Sequence, residues 1–194
     1  PALPTQGQGP LVLVVEDNAA MSALICRCLS SEWRVATAFD GAQGLQQALA
    51  LRPDLVLQLG GRGEAMEPVR FLEERGLTVA VFDLENFEQL FSVMERLGAL
   101  TGSADRARER VADMRAELAA IEAAQSGPRP KVFFEARYPN LLAAGQGSMV
   151  SEIMAAAGGR NCVEAPDKLV RLGEEEVLRL APDIYLVQQG PMNP

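Results

Sequence analysis

The sequence contains no histidine. The commonest metal ligand and the commonest general base near neutral pH are therefore both missing. Cysteine is scarce: Cys26, Cys28 and Cys162 are the three present. Cys26 and Cys28 are two apart in a stretch of helical character, so they point to different faces and do not readily pair. An odd number without framework spacing predicts free, mostly buried thiols. A catalytic cysteine would need a histidine partner that the chain lacks. Aromatic residues make up only 5% of the 194, so the core must be built mainly from Leu, Val and Ala. No apolar run is long enough to span a membrane. No phosphate-cradling loop is present either, because Gly60-Gly61-Arg62-Gly63 is too short and lacks a Lys-Ser/Thr ending. These absences predict a non-enzymatic protein without a cofactor.

What is there suffices for a buried core, with 48% hydrophobic residues. Acidic residues outnumber basic ones by 26 to 18, a formal charge of −8 without histidine, and no basic patch stands out. That balance argues against nucleic acid as a partner. Residues 1–10 are rich in Gln, Gly and Pro and read as a linker or tail rather than a signal peptide. The free thiols and the lack of a leader place the chain, as written, in the cytoplasm.

Apolar runs and punctuation then alternate with some regularity. Strands are predicted over residues 11–15, 33–38, 55–57 and 78–82. Helices are predicted over 18–29, from 40–41 to before Pro53, 65–75 with Gly76 as the stop, and 86–97. Alternation at this spacing predicts a parallel, doubly wound sheet. A long amphipathic helix follows over 103–124, with Ser103 as N-cap and Gly127-Pro128 as the stop. Its apolar positions Val111, Met114, Leu118 and Ile121 keep helical spacing, so one face packs. Beyond it come strands at 131–135 and 184–187 with helices at 148–157 and 174–180, roughly two β–α repeats. One segment echoes another: Leu49-Ala50-Leu51-Arg52-Pro53-Asp54-Leu55-Val56-Leu57-Gln58 resembles Leu178-Arg179-Leu180-Ala181-Pro182-Asp183-Ile184-Tyr185-Leu186-Val187-Gln188. Each is a helix end, a Pro-Asp corner and a buried strand.

The segment Leu11-Val12-Leu13-Val14-Val15-Glu16-Asp17-Asn18, followed by Asp40-Gly41 and Pro53-Asp54-Leu55-Val56-Leu57, resembles the first half of a response-regulator receiver domain. In that family an acidic pair after the first strand binds Mg²⁺. Glu16 and Asp17 hold those positions, so the resemblance implies weak Mg²⁺ binding, with simple capping of the first loop as the alternative. The family's phosphate-accepting Asp falls at Leu59, which has no nucleophilic oxygen, so phosphorylation is not expected.

From Arg52 onward the chain resembles the substrate-binding proteins of ABC importers for metal chelates, the class that takes ferric siderophores, haem and cobalamin. The motifs are Pro53-Asp54-Leu55-Val56-Leu57 with Gly60-Gly61, then Leu77-Thr78-Val79-Ala80-Val81-Phe82-Asp83, Leu97-Gly98 with Thr101-Gly102, and Val132-Phe133-Phe134-Glu135. Ala157-Gly158-Gly159-Arg160-Asn161 and Glu174-Glu175-Glu176-Val177 complete the order. The resemblance implies a flavodoxin-like or Rossmann-like parallel-sheet lobe, a long bridging helix and a small second α/β lobe, with ligand held at the carboxyl ends of strands. Those ends offer Gly61, Arg62, Asp83, Asn86, Arg137, Tyr138, Gln146, Gln188 and Gln189. Arg and Tyr suit an anionic or planar chelate. The family docks on a membrane permease through one acidic residue per lobe. Glu64 or Glu67 matches on the first lobe and Glu175 on the second.

The resulting division is a tail at 1–10, a composite α/β lobe at 11–102, a bridging helix at 103–126 and a partial second α/β lobe at 127–194. Within the composite lobe, 11–57 is receiver-like and 58–102 binding-protein-like. The two likenesses meet at one short segment, which predicts an engineered or recombined chimera with impaired or absent ligand binding. The alternative is a degenerate receiver-type signalling module acting by protein contacts. The location implied by the larger part is periplasmic. An exposed sheet edge on the second lobe is expected to favour homo-oligomers.

Overall fold

The computed structural model describes residues 11–59 and 66–189. The chain divides into two compact units, Pro1–Phe82 and Asp83–Pro194. The first holds β1 (Leu11–Val15), α1 (Ala19–Leu29), β2 (Arg34–Ala38), α2 (Gly41–Leu51), β3 (Val56–Leu59), α3 (Glu67–Glu73) and β4 (Val79–Phe82). Its strands pair in parallel as expected, β1 with β2 and β3 with β4. Among the described residues the two pairs do not share ladder hydrogen bonds, so the single continuous sheet expected from the sequence is not formed. Side-chain packing joins them instead: Ala48, Leu72 and Leu77 form a buried cluster that gathers Leu13, Val56 and Val79. Polar residues set the helix starts. Asn18 Oδ1 accepts the N–H groups of Ala20 and Met21, and Asp40 Oδ1 accepts that of Gln43.

The two Pro-Asp corners share a backbone geometry. Arg52 and Ala181, the residues before Pro53 and Pro182, both have φ of 46°. A non-glycine residue in this left-handed region costs about 1–2 kcal/mol, and two such corners with the same local sequence show one turn used twice. Asp183 supports its corner by accepting the Lys131 N–H at 2.7 Å.

The second unit comprises α4 (Phe87–Leu100), α5 (Ala104–Ala123), β5 (Lys131–Arg137), β6 (Leu142–Ala144), α6 (Met149–Ala156), β7 (Arg160–Asn161), β8 (Leu169–Arg171), α7 (Glu174–Leu180) and β9 (Ile184–Val187). The division therefore falls ahead of α4, whereas the first lobe was expected to run to residue 102. Gly98 explains how closely α4 and α5 pack, because a Cβ there would come within 2.4 Å of the Ala107 Cβ. Glu88 and Arg115 join the same two helices through paired hydrogen bonds of 2.5 and 2.6 Å, which hold the Glu88 carboxyl below its usual range. Ser103 occupies the N-cap position of α5, but its hydroxyl makes no cap bond, contrary to expectation. The apolar stripe of α5 runs from buried Val111 to half-exposed Ile121.

β5 is the centre of the second unit's sheet. It pairs in parallel with β7 and β9 and antiparallel with β6, which in turn pairs with β8. The sequence missed β6, β7 and β8. At two or three residues each, they are too short to display a period of two. Fully buried Phe133 anchors the core with Leu141, Ala143, Cys162 and Val163. The thiols depart from expectation as well: Cys162 is buried, Cys26 is partly exposed and Cys28 is exposed on α1.

Candidate functional site

β5 begins with Lys131-Val132-Phe133-Phe134, β-branched and aromatic residues that suit a buried strand. It ends at Arg137, where the register against β6 shifts between Glu135 and Arg137. Such irregularities re-aim a side chain. Arg137 Nε is buried and has no hydrogen-bond partner among the described residues. A buried donor left unmade costs about 1–3 kcal/mol, so the position favours an arriving acceptor. Tyr138 follows, half-exposed. β9 lies parallel beside β5 with Val187 opposite Glu135, and the Gln188 N–H donates to the Glu135 carbonyl at 2.9 Å. The two strands thus end together, and Arg137, Tyr138, Gln188 and Gln189 follow at the same carboxyl end of the sheet.

Beneath that edge lies a pair the sequence did not reveal. Glu135 is buried, and its Oε2 accepts the Tyr185 hydroxyl at 2.7 Å. The Tyr185 ring lies 4.9 Å from that of Phe133. Burial, and then the Glu135 carboxylate, push the Tyr185 phenol well above its usual range. The signal available was alternation alone, which puts Phe133 and Glu135 on one face without naming the partner.

Three further predicted residues sit on loops. Asn86 caps α4, its Oδ1 accepting the Gln89 N–H at 2.8 Å, and Asp83 is exposed at the start of the same loop. Gln146 is exposed, yet its Nε2 donates to the Val163 carbonyl and its N–H to the Ala165 carbonyl, both at 2.8 Å. Its neighbours Gly145 and Gly147 donate to the carbonyls of Lys168 and Asp167. A Cβ at Gly145 would come within 2.1 Å of the Asp167 carbonyl oxygen, so this close approach demands glycine. In the Gly158-Gly159-Arg160-Asn161 motif, a Cβ at Gly159 would come within 2.8 Å of Val132 Cγ2. Buried Asn161 donates to the Ala144 carbonyl and Ser151 Oγ and accepts the Val163 N–H, fastening β6, α6 and β7 together.

Of the acidic residues, Glu67 is exposed at the start of α3 and Glu175 is exposed in the first turn of α7. Gly61, Arg62 and Glu64 lie outside the described residues. Glu16 and Asp17 line a cavity of about 310 Å³ with Asp40. Both carboxylate oxygens of Asp40 are engaged by Gln43, and Glu16 Oε1 accepts the Asn18 N–H. Among the described residues no three His, Cys, Asp or Glu side chains are grouped to hold a metal. The residues present therefore fit loop capping better than a Mg²⁺ centre.

The structure of a periplasmic heme-binding protein from Pseudomonas aeruginosa shares the fold, with a TM-score of 0.67 at 22% identity over 98% of this chain and 75% of that one. Residues 45–193 match the family model described as periplasmic binding protein, and the chain belongs to that family. It is 29% identical over 146 residues to the vitamin B12-binding protein of Salmonella typhimurium (strain LT2), a match covering 74% of this chain and 54% of that protein. The chain thus spans about half the length of the curated relatives it matches over this region. Those relatives are binding proteins, not enzymes, as the residue content predicts. A separate match of 48% identity over 48 residues links it to the hybrid signal transduction histidine kinase D of Dictyostelium discoideum, covering 25% of this chain and 3% of that protein.

Proposed function

We propose that the chain is a non-enzymatic solute-binding scaffold of the ABC-importer type, directed at an anionic or planar metal chelate such as haem, cobalamin or a ferric siderophore. The observation that carries this is Arg137. Its buried Nε, without a partner among the described residues, is followed by half-exposed Tyr138 at the strand ends shared with Gln188 and Gln189. A guanidinium recognises a carboxylate, a phenol ring stacks on a planar ligand, and amides read its polar rim. Exposed Glu67 and Glu175 are the residues this reading assigns to a permease partner. The compartment is the periplasm, following the family.

The reading includes a composite origin. The family match begins at residue 45, the receiver-like pattern runs to Leu57, and both pass through the α2–β3 corner whose geometry recurs at Ala181. A crossover there keeps the helix end and the following strand intact, while ligand contacts that the replaced part would supply are lost. Affinity is accordingly reduced relative to a complete family member. The kinase match favours a second reading, a degenerate receiver acting by protein contacts. Against it stands Leu59 at the acceptor position, paired in register with Phe82.

Thermal unfolding against hemin, cyanocobalamin, two ferric siderophores, and Mg²⁺ with a phosphate mimic separates the readings. A ligand at a hundred times its dissociation constant adds roughly 2.7 kcal/mol. A shift with one chelate that disappears in Arg137→Ala supports the binding reading. A shift confined to Mg²⁺ with the mimic supports the receiver. A transition that no ligand moves, at concentrations far above those saturating a complete relative, would sink both sites.

A further inference from the structure

Glu152 and Lys168, which no sequence motif marked, hold the start of α4. Glu152 lies in the first turn of α6, and its carboxylate accepts the Phe87 N–H at 2.6 Å. Phe87 is the first residue of α4, where an N–H has no partner within its own helix. One carboxylate thus stands at the N-terminal ends of two helices, and both dipoles favour its charge. Lys168 Nζ lies 2.7 Å from Glu85 Oε1, while the Lys168 carbonyl accepts the Gly145 N–H at 3.0 Å. Lys168 is therefore fastened to the β6–α6 loop by its backbone and to the β4–α4 loop by its side chain. The β4–α4 loop is also braced internally, because Gln89 Oε1 accepts the Glu85 N–H at 2.6 Å and Asn86 accepts that of Gln89.

We propose that Glu152 and Lys168 are positioning residues that clamp the loop carrying Asp83 and Asn86 to the Gly145-Gln146-Gly147 loop, fixing the backbone that a solute at these strand ends would meet. The solute rests on the binding reading above. The clamp itself does not, and it is tested without ligand.

The experiment is amide hydrogen exchange on the full chain, with Glu152→Ala, Glu152→Gln, Lys168→Glu, Glu85→Lys and the double charge swap. In Glu152→Ala the Phe87 amide exchanges about tenfold faster or more, the loss of a charge-assisted bond, with a smaller change in Glu152→Gln. Amides of β5 keep their protection. Each single charge reversal speeds exchange across residues 85–87, and the double variant restores it. Unchanged exchange at Phe87 in Glu152→Ala overturns the proposal. So does equal loss at Phe87 and β5 in both Glu152 variants, or a double variant no slower than the singles. An intact clamp with no hemin shift tells against the binding reading alone.

Discussion

At the scale of single residues, the positions that matter most are those where an atom lacks room or lacks a partner. Gly98 lacks room. Adding a methyl group there drives α4 off α5, so Gly98→Ala should destabilise the second unit by about 1–3 kcal/mol. Urea unfolding would show a lower midpoint at unchanged slope. Tyr185 has a partner whose worth depends on pH. Its phenol is raised above an ordinary value of 10.0, mainly by burial and then by Glu135. Above that pH the folded state holds a proton the unfolded state has lost, so stability falls as pH rises. The advantage of wild type over Tyr185→Phe should be complete below about pH 10 and shrink above it. A difference that stays constant across that range would refute the pairing. The sequence singled out Arg137, but only the packing around the end of β5 leaves its Nε buried and without an acceptor among the described residues. Asn86 and Gln146 also stand just beyond strand ends, yet their side chains are engaged in holding the backbone. Residue type cannot distinguish a ligand contact from a cap, because both need the same polar atoms.

Among the elements, β9 stands apart. Its residues Ile184, Tyr185, Leu186 and Val187 are 41–53% exposed, and among the described residues it pairs with β5 alone. It carries no charge, proline or bulge of the kind that protects an open edge. The test of the expected self-association is therefore made at this strand. Sedimentation at rising concentration should show wild-type oligomers that Leu186→Lys reduces, and identical behaviour of the two would remove β9 from the interface. The strand was readable as an apolar run after Pro182-Asp183, whereas its exposure was not, since a run of four apolar residues looks the same whether one face is covered or both. Short β6, β7 and β8 left no pattern at all, and they are what makes the second sheet mixed.

For the whole molecule, the two compact units predict separable stability. Each has its own buried cluster, one around Ala48, Leu72 and Leu77, the other around Phe133 and Ala143. Calorimetry should resolve two transitions, and Gly98→Ala should lower only one of them; a single transition shifted as a unit would contradict that division.

Chain order and local chemistry by themselves determined the α/β class, the long helix, the Pro-Asp corners and the lack of histidine chemistry. These depend on backbone preferences and apolar periodicity, which act between near neighbours. The tertiary structure alone decided which polar atoms were left over. Arg137 Nε became a donor without an acceptor among the described residues, Glu135 acquired Tyr185, and Glu152 came to hold a helix 65 residues away. Such pairings arise only when distant segments are packed, because burial and not sequence spacing determines which hydrogen bonds must be satisfied.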